Sequence, residues 1–250
     1  MKSPLRRLLS FTALACAAAA CGAGEFSVSP VRIDFAVAGR SQLLAITNTG
    51  TAPARFLVRA AGWTVNEEGA VELSDDDKLV VFPASFTVQP RFSQNVRVGT
   101  DQRPGDTEKT WRIVFEELPD PNPATAAGAT INVLSVISVP VFMPPVTPRK
   151  SLKLGWSATE GRTMKLALAN EGNAHELIAT VTLTAMRGEQ AAQQAQASGW
   201  YLLPGKRREY PVAGEKPWCE LGAGRFELRA TNVQGDTVAT QSVDAREACR

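Results

Sequence analysis

Residues 131–145 read I-N-V-L-S-V-I-S-V-P-V-F-M-P-P, the longest run in the chain that joins β-branched residues to period-2 spacing. Ile131, Val133, Ser135, Ile137, Val139 and Val141 fall on one face, and Asn132, Leu134, Val136, Ser138 and Pro140 on the other. Both faces carry apolar residues. That suits a strand buried in its own sheet, the commoner case, or an edge kept for another chain. Pro140 has no N–H to give to a ladder, which points to an edge or an irregularity.

Outward from this stretch the chain keeps the same grammar. Residues 118–128, just before it, are rich in Pro, Ala, Thr and Asp and read as a loop. Residues 144–149, just after it, are P-P-V-T-P-R, a stiff linker hostile to helix. Upstream, alternating segments at 26–35, 41–48, 54–63, 79–82, 85–88, 95–98 and 109–117 are separated by turn-forming residues. Residues 67–69 read as a turn and 75–77 as a solvated acidic loop, without the spaced ligands and glycine of a calcium loop. Downstream, 164–170, 177–185, 208–212, 224–232 and 237–244 repeat the pattern. Helical periodicity is almost absent. Residues 189–197 (E-Q-A-A-Q-Q-A-Q-A) have helical composition but no apolar stripe, and read as a loop or one short helix. Two alternating strands end alike, at Asn48-Thr49-Gly50 and Asn170-Glu171-Gly172, where Asn and Gly tolerate left-handed backbone. The expected class is all-β: a domain over 25–144 and a similar one over 145–250, with a bent, boomerang outline.

Residues 1–24 read as a secretory signal peptide rather than as fold. Lys2, Arg6 and Arg7 precede an alanine-rich apolar run, and small residues follow. The competing reading is a lipoprotein leader with Cys16 or Cys21 lipidated. Removing three cations from 27 leaves 24 against 25 acids, so a basic pI gives no argument for nucleic acid. Cys219 and Cys249 remain, and in an exported chain they are expected to form a disulfide stabilising by about 2–4 kcal/mol.

Catalytic chemistry is missing from the pattern. His175 is the one histidine, beside a turn, and reads as structural. With it and two paired cysteines no zinc site can be assembled. There is no nucleophile elbow, phosphate loop or dinucleotide fingerprint. Glu116 and Glu117 are adjacent on a strand and point to opposite faces. The expectation is no enzyme, no cofactor, no metal, no nucleic acid and no small-molecule substrate.

Several segments together resemble the periplasmic pilus (fimbrial) chaperones of the chaperone–usher pathway. They are Ser29-Pro30-Val31-Arg32-Ile33, Ile46-Thr47-Asn48-Thr49-Gly50, residues 79–90 with 94–98 behind them, Phe115-Glu116-Glu117-Leu118-Pro119, residues 131–145, and 170–175. The resemblance implies two immunoglobulin-like sandwiches meeting at a cleft. It also implies periplasmic location, pilin subunits as partners and an outer-membrane usher as recipient. In such chaperones the last strand of the first domain fills the groove of an incomplete subunit, which makes Ile131, Val133, Ser135, Ile137 and Val139 the donor strand, Ser135 being a gap in its apolar row. The subunit's C-terminal carboxylate is held by basic residues in the cleft, and Arg32 matches the first-strand arginine. The usual last-strand lysine is replaced here by Pro140, and Arg112 on the neighbouring strand is the substitute cation. The ending S-V-P-V-F-M-P-P is similar to the archaic, spore-coat-protein-U-related branch. The alternative functions are an exported structural or adhesive module of immunoglobulin or fibronectin type, and a lipid-anchored binding protein.

Overall fold

A computed structural model of the chain describes residues 25–35, 39–66, 69–121 and 133–250. The leader, Glu67, Glu68 and Ile131 therefore lie outside the described residues. Strands come first as β1 (Phe26–Ser29), β2 (Ile33–Asp34), β3 (Ser41–Asn48), β4 (Ala54–Val65), β5 (Val71–Asp75) and β6 (Leu79–Phe82). Then follow β7 (Ser85–Val88), β8 (Ser93–Thr100), β9 (Lys109–Leu118) and β10 (Val136–Met143). They form two sheets, β1-β3-β8-β6 and β2-β10-β9-β4-β5, with β7 added to β4. Alternation explains the pairing of faces. Leu44, Ile46, Val96 and Val98 point inward from one sheet, and Phe56, Val58, Ile113, Phe115, Val139 and Val141 from the other; all are buried in one core.

The second half repeats the plan. It runs β11 (Leu152–Glu160), β12 (Thr163–Asn170), β13 (Glu176–Arg187), β14 (Gln190–Ser198), β15 (Tyr201–Leu202), β16 (Arg207–Ala213), β17 (Arg225–Asn232) and β18 (Thr237–Asp244). Its sheets are β11-β12-β16 and β14-β13-β17-β18, with β15 on β13. Leu166, Leu168, Val181, Leu183, Phe226 and Trp218 fill a separate core. The chain thus folds as two immunoglobulin-like β-sandwiches. A short helix α1 (Ala245–Ala248) leads into Cys249, which is bonded to Cys219 with S–S 2.09 Å. The bridge closes 30 residues and ties the C-terminus to the turn that carries buried Trp218.

Several expectations are corrected. Residues 190–198 form strand β14, not a loop or helix. Hairpin pairing to β13 through the left-handed Gly188 sets the register, and Ala195 and Ala197 then pack on the core. Tertiary pairing outweighs the helical propensity of Ala and Gln. The acidic stretch is not simply solvated: Asp75 ends β5, and Asp76 Oδ2 accepts from Trp111 Nε1 at 3.0 Å. The opening segment breaks into β1 and β2 around Pro30.

The Asn-x-Gly echo is real, but its cause is not left-handed backbone, since neither Gly50 nor Gly172 has positive φ. Asn48 Nδ2 donates to the Ala52 and Val88 carbonyls at 2.7 and 3.1 Å while its Oδ1 accepts from Gly50 N at 2.9 Å. Asn170 does the same to Ala174, Leu202 and Gly172 at 2.8, 3.0 and 2.9 Å. Each buried amide staples a strand end to a turn and to a second strand. Glycine is required by space: a Cβ on Gly172 would run into the Arg149 carbonyl.

Tyr210 on β16 is 2 % exposed, and its hydroxyl has no partner among the described residues. Burial pushes the phenol up to about 12, against a smaller downward pull from Arg208. A pKa raised above the unfolded value of about 10 contributes stability present below pH 10 and lost as pH rises toward 12, roughly 2–3 kcal/mol in all. Tyr210→Phe is expected to remove that alkaline component. At neutral pH it should be neutral or stabilising by about 1 kcal/mol, because an unpaired buried hydroxyl disappears. Urea denaturation of both chains at pH 8 and pH 11 measures this.

Candidate functional site

The site begins with the edge of β10. Glu117 N donates to the Ser135 carbonyl at 2.9 Å, and β10 pairs with β9 in the register Ile137↔Phe115, Val139↔Ile113, Val141↔Trp111. By alternation, odd-numbered residues of β10 bond to β9, and the backbone groups of Val136, Ser138 and Pro140 face the opposite edge. On that edge β2 pairs in parallel at Ile33↔Val141 and Asp34↔Phe142, and Phe35 N donates to the Phe142 carbonyl at 2.8 Å. Ahead of Val141 the edge has no strand among the described residues. Pro140 therefore lacks an N–H on the open side, so the ladder to β9 loses nothing by it.

The side chains follow the same parity. Val139, Val141 and Met143 sit in the first core, with Ile137 packed against its margin. Val133 continues the odd row and is 86 % exposed, while Val136, on the other face, is 67 % exposed. Of the expected donor residues, Val139 belongs to the chain's own core, Ile137 sits at its rim, and Val133 and Ser135 precede the strand. Among the described residues of the run expected over 131–145, the strand begins at Val136 and ends at Met143.

Arg112 lies opposite Pro140 on β9, and Arg32 immediately precedes Ile33, level with Pro140 on the other side. Arg112 on β9, Pro140 on β10 and Arg32 in the bend just before β2 thus lie level with one another across the sheet. The cations flank the position where a lysine was missing. Arg32 Nε is paired with Asp34 Oδ2 at 2.7 Å. Partial burial works against its charge, but Asp34 and then Tyr201 outweigh that and hold its pKa above the ordinary arginine value.

Arg112 is different. It is 8 % exposed, its Nη1 donates to Ser138 Oγ at 3.2 Å, and its Nε has no partner among the described residues. No acidic partner is seen for it among those residues. Its guanidinium lies 4.3 Å from the Trp63 ring centroid and 5.5 Å from that of Trp200. Burial lowers its pKa, with Tyr201 pulling the other way. A buried cation without a counter-ion is costly, and an incoming carboxylate relieves it.

Residues of the second sandwich close the site. Trp63, Val65, Phe142 and Leu203 form a small core between the two halves, with Trp200 and Tyr201 against it. His175 stacks on Phe142 with centroids 3.8 Å apart, and its Nδ1 lies 2.9 Å from both Glu108 oxygens. His175 thus ties the second half to Phe142 and Glu108 of the first. Asn173 adds bonds to the carbonyls of Asp106 and Thr147 at 2.7 and 3.0 Å. A cavity of about 270 Å³ beside Arg32 is lined also by Lys150, whose Nζ is held by Glu176 Oε2 at 2.9 Å. Sequence reasoning missed Trp63, Lys150, Trp200 and Tyr201. The Cys219–Cys249 bridge belongs to the second core and takes no part in the site.

Residues 25–148 match the model for the N-terminal domain of PapD, a pili and flagellar-assembly chaperone. The chain belongs to that family. A search of curated protein sequences finds no match. Among solved structures, a chain of the CsuC–CsuE chaperone–tip adhesion subunit complex from the archaic Csu pili of Acinetobacter baumannii is similar at 14 % identity and TM-score 0.58. That alignment covers 88 % of this chain and 98 % of that one. The YadV chaperone gives 12 % and 0.58, over 88 % and 100 % of the two chains. A chain of the Salmonella enterica SafA pilin–SafB chaperone complex gives 16 % and 0.54, over 90 % and 98 %. At such identities the structural likeness speaks for the two-sandwich pilus-chaperone fold.

Proposed function

We propose that this chaperone works in the periplasm, completes pilin subunits by lending them β10, and delivers them to an outer-membrane usher. The observation that carries the reading is the edge of β10. Among the described residues it is open ahead of Val141, its outward backbone groups come from Val136, Ser138 and Pro140, and its odd row runs out of the core into exposed Val133. An apolar row leaving a core onto an unpaired edge is an aggregation hazard unless a partner covers it. A subunit lacking its last strand supplies the matching groove, and alternate side chains give the register.

Strand β2 fixes the direction. The partner strand shares the edge with β2 end to end, so its terminus stops near Pro140, between Arg32 and Arg112. A C-terminal carboxylate at that point requires the strand to run parallel to β10, and the two guanidinia supply charge-assisted bonds to it. Arg32 and Arg112 are thus the anchor, and the odd row from Ile131 to Ile137 is the donor. The one Å-scale cost is loosening Arg32 from Asp34, a half-exposed pair of small worth.

Affinity purification of the mature chain from periplasm should recover a small β-rich subunit in a stable complex, identified by mass spectrometry. Recovery of the chain alone, as a stable monomer, would favour the structural or adhesive module instead.

A further inference from the structure

Most polar side chains around the anchor are committed to neighbours. Lys150 is held by Glu176, His175 by Glu108, and Ser138 by Arg112. Tyr201 faces the cation itself, with its hydroxyl close enough to Arg32 to hydrogen-bond with the guanidinium. It sits on β15, paired through Leu177↔Tyr201, and comes from the other sandwich. Its ring is fixed by four aromatic neighbours: Phe142 at 5.3 Å, His175 at 5.5 Å, Trp200 at 5.8 Å and Trp63 at 6.0 Å between centroids. Phe142 is the β10 residue opposite Asp34, two places on from Arg32, and Trp63 is the ring under Arg112. The phenol is therefore held between the elements that carry the two cations. Tyr201 favours the charged form of both guanidinia, behind Asp34 at Arg32, and at Arg112 against a larger effect of burial that leaves its pKa lowered.

We propose that the Tyr201 hydroxyl is a third ligand of the subunit's C-terminal carboxylate, set between Arg32 and Arg112 and supplied by the second sandwich. The inference rests on the anchor reading above. A carboxylate has about four lone-pair sites, and a phenol O–H donates to one of them. Because the ring is already immobilised by packing, little further order is lost on binding. The consequence is that gripping a subunit terminus uses both sandwiches, so their relative placement becomes part of subunit recognition.

The test uses the full mature chain and two labelled peptides of alternating valine and threonine, one ending in a free carboxylate and one in an amide, followed by fluorescence anisotropy. The wild-type chain should bind the acid more tightly than the amide. Tyr201→Phe keeps the ring and its packing. It should weaken the acid about tenfold and leave both the amide and the melting temperature unchanged. If Tyr201→Phe leaves the acid as tight as before, or weakens acid and amide alike, the Tyr201 role is wrong while the anchor stands. If the wild-type chain fails to distinguish the peptides, or binds neither, the anchor reading itself falls and takes this inference with it.

Discussion

A chain carrying Val133→Asp is expected to lose its subunit without losing its own fold. Val133 is 86 % exposed and outside every core, so a charge there changes folding stability by no more than about 0.5 kcal/mol. On the strand-lending reading the same side chain enters an apolar groove of the subunit. Removing its methyls forfeits about 1.5–3 kcal/mol, and burying an unpaired polar group adds at least as much again. Affinity should therefore fall more than hundredfold. Val136→Asp, on the opposite face, is the matched control and should cost much less, because strand register decides which row enters the groove. Subunit yield in periplasmic extracts, together with melting curves of each variant, measures both halves. A retained subunit in the Val133→Asp strain, with the chain folded, would end the strand-lending reading.

Replacing Arg112 by methionine should weaken affinity while leaving stability nearly unchanged. In the free chain Arg112 is a buried cation with an unpaired Nε and no acidic neighbour among the described residues. Its removal relieves desolvation and gives up the contact with Trp63, so the net change is within about 1 kcal/mol of zero. In the complex the same substitution deletes a charge-assisted bond to the carboxylate, worth about 1.5–3 kcal/mol, or roughly ten- to 150-fold in affinity. A purely structural Arg112 gives the other pattern: the chain is destabilised and binding follows passively. Subunit dissociation kinetics and urea denaturation on one preparation separate the two.

The sequence was readable where a strand's alternation met a clean stop. Ser41–Asn48, Leu79–Phe82, Ser85–Val88 and Thr237–Asp244 are bounded by Asn, Pro or Asp, and their limits agree with the structure. It misled where register is set from elsewhere. β14 is a strand because β13 lies beside it, and its Gln-Ala composition says nothing of that. β5 shows no burial pattern at all, every residue being exposed, so only its pairing with β4 makes it a strand. The site divides the same way. Alternation points to the odd row of β10, whereas Arg32 is singled out by the family resemblance and Arg112 by its nearness to Pro140, and their role as an anchor is the proposal made above. Trp63, Trp200 and Tyr201 meet across the gap between the sandwiches, more than 130 residues apart in the chain. Lys150 reaches the Arg32 cavity from the proline-rich connection, which local patterning reads only as a spacer.

The two-residue strand β2 has a consequence out of proportion to its length. By sitting on the edge at Val141 and Phe142 it closes the far end of the exposed β10 edge. On the strand-lending proposal, a segment from the middle of a polypeptide would meet Ile33 at that end, so a free tail is the better fit. Under the strand-lending proposal, a chain still joined at its C-terminus to the machinery that makes or exports it is a poor client, which would spare the lent strand half-made proteins and internal strands of unrelated ones.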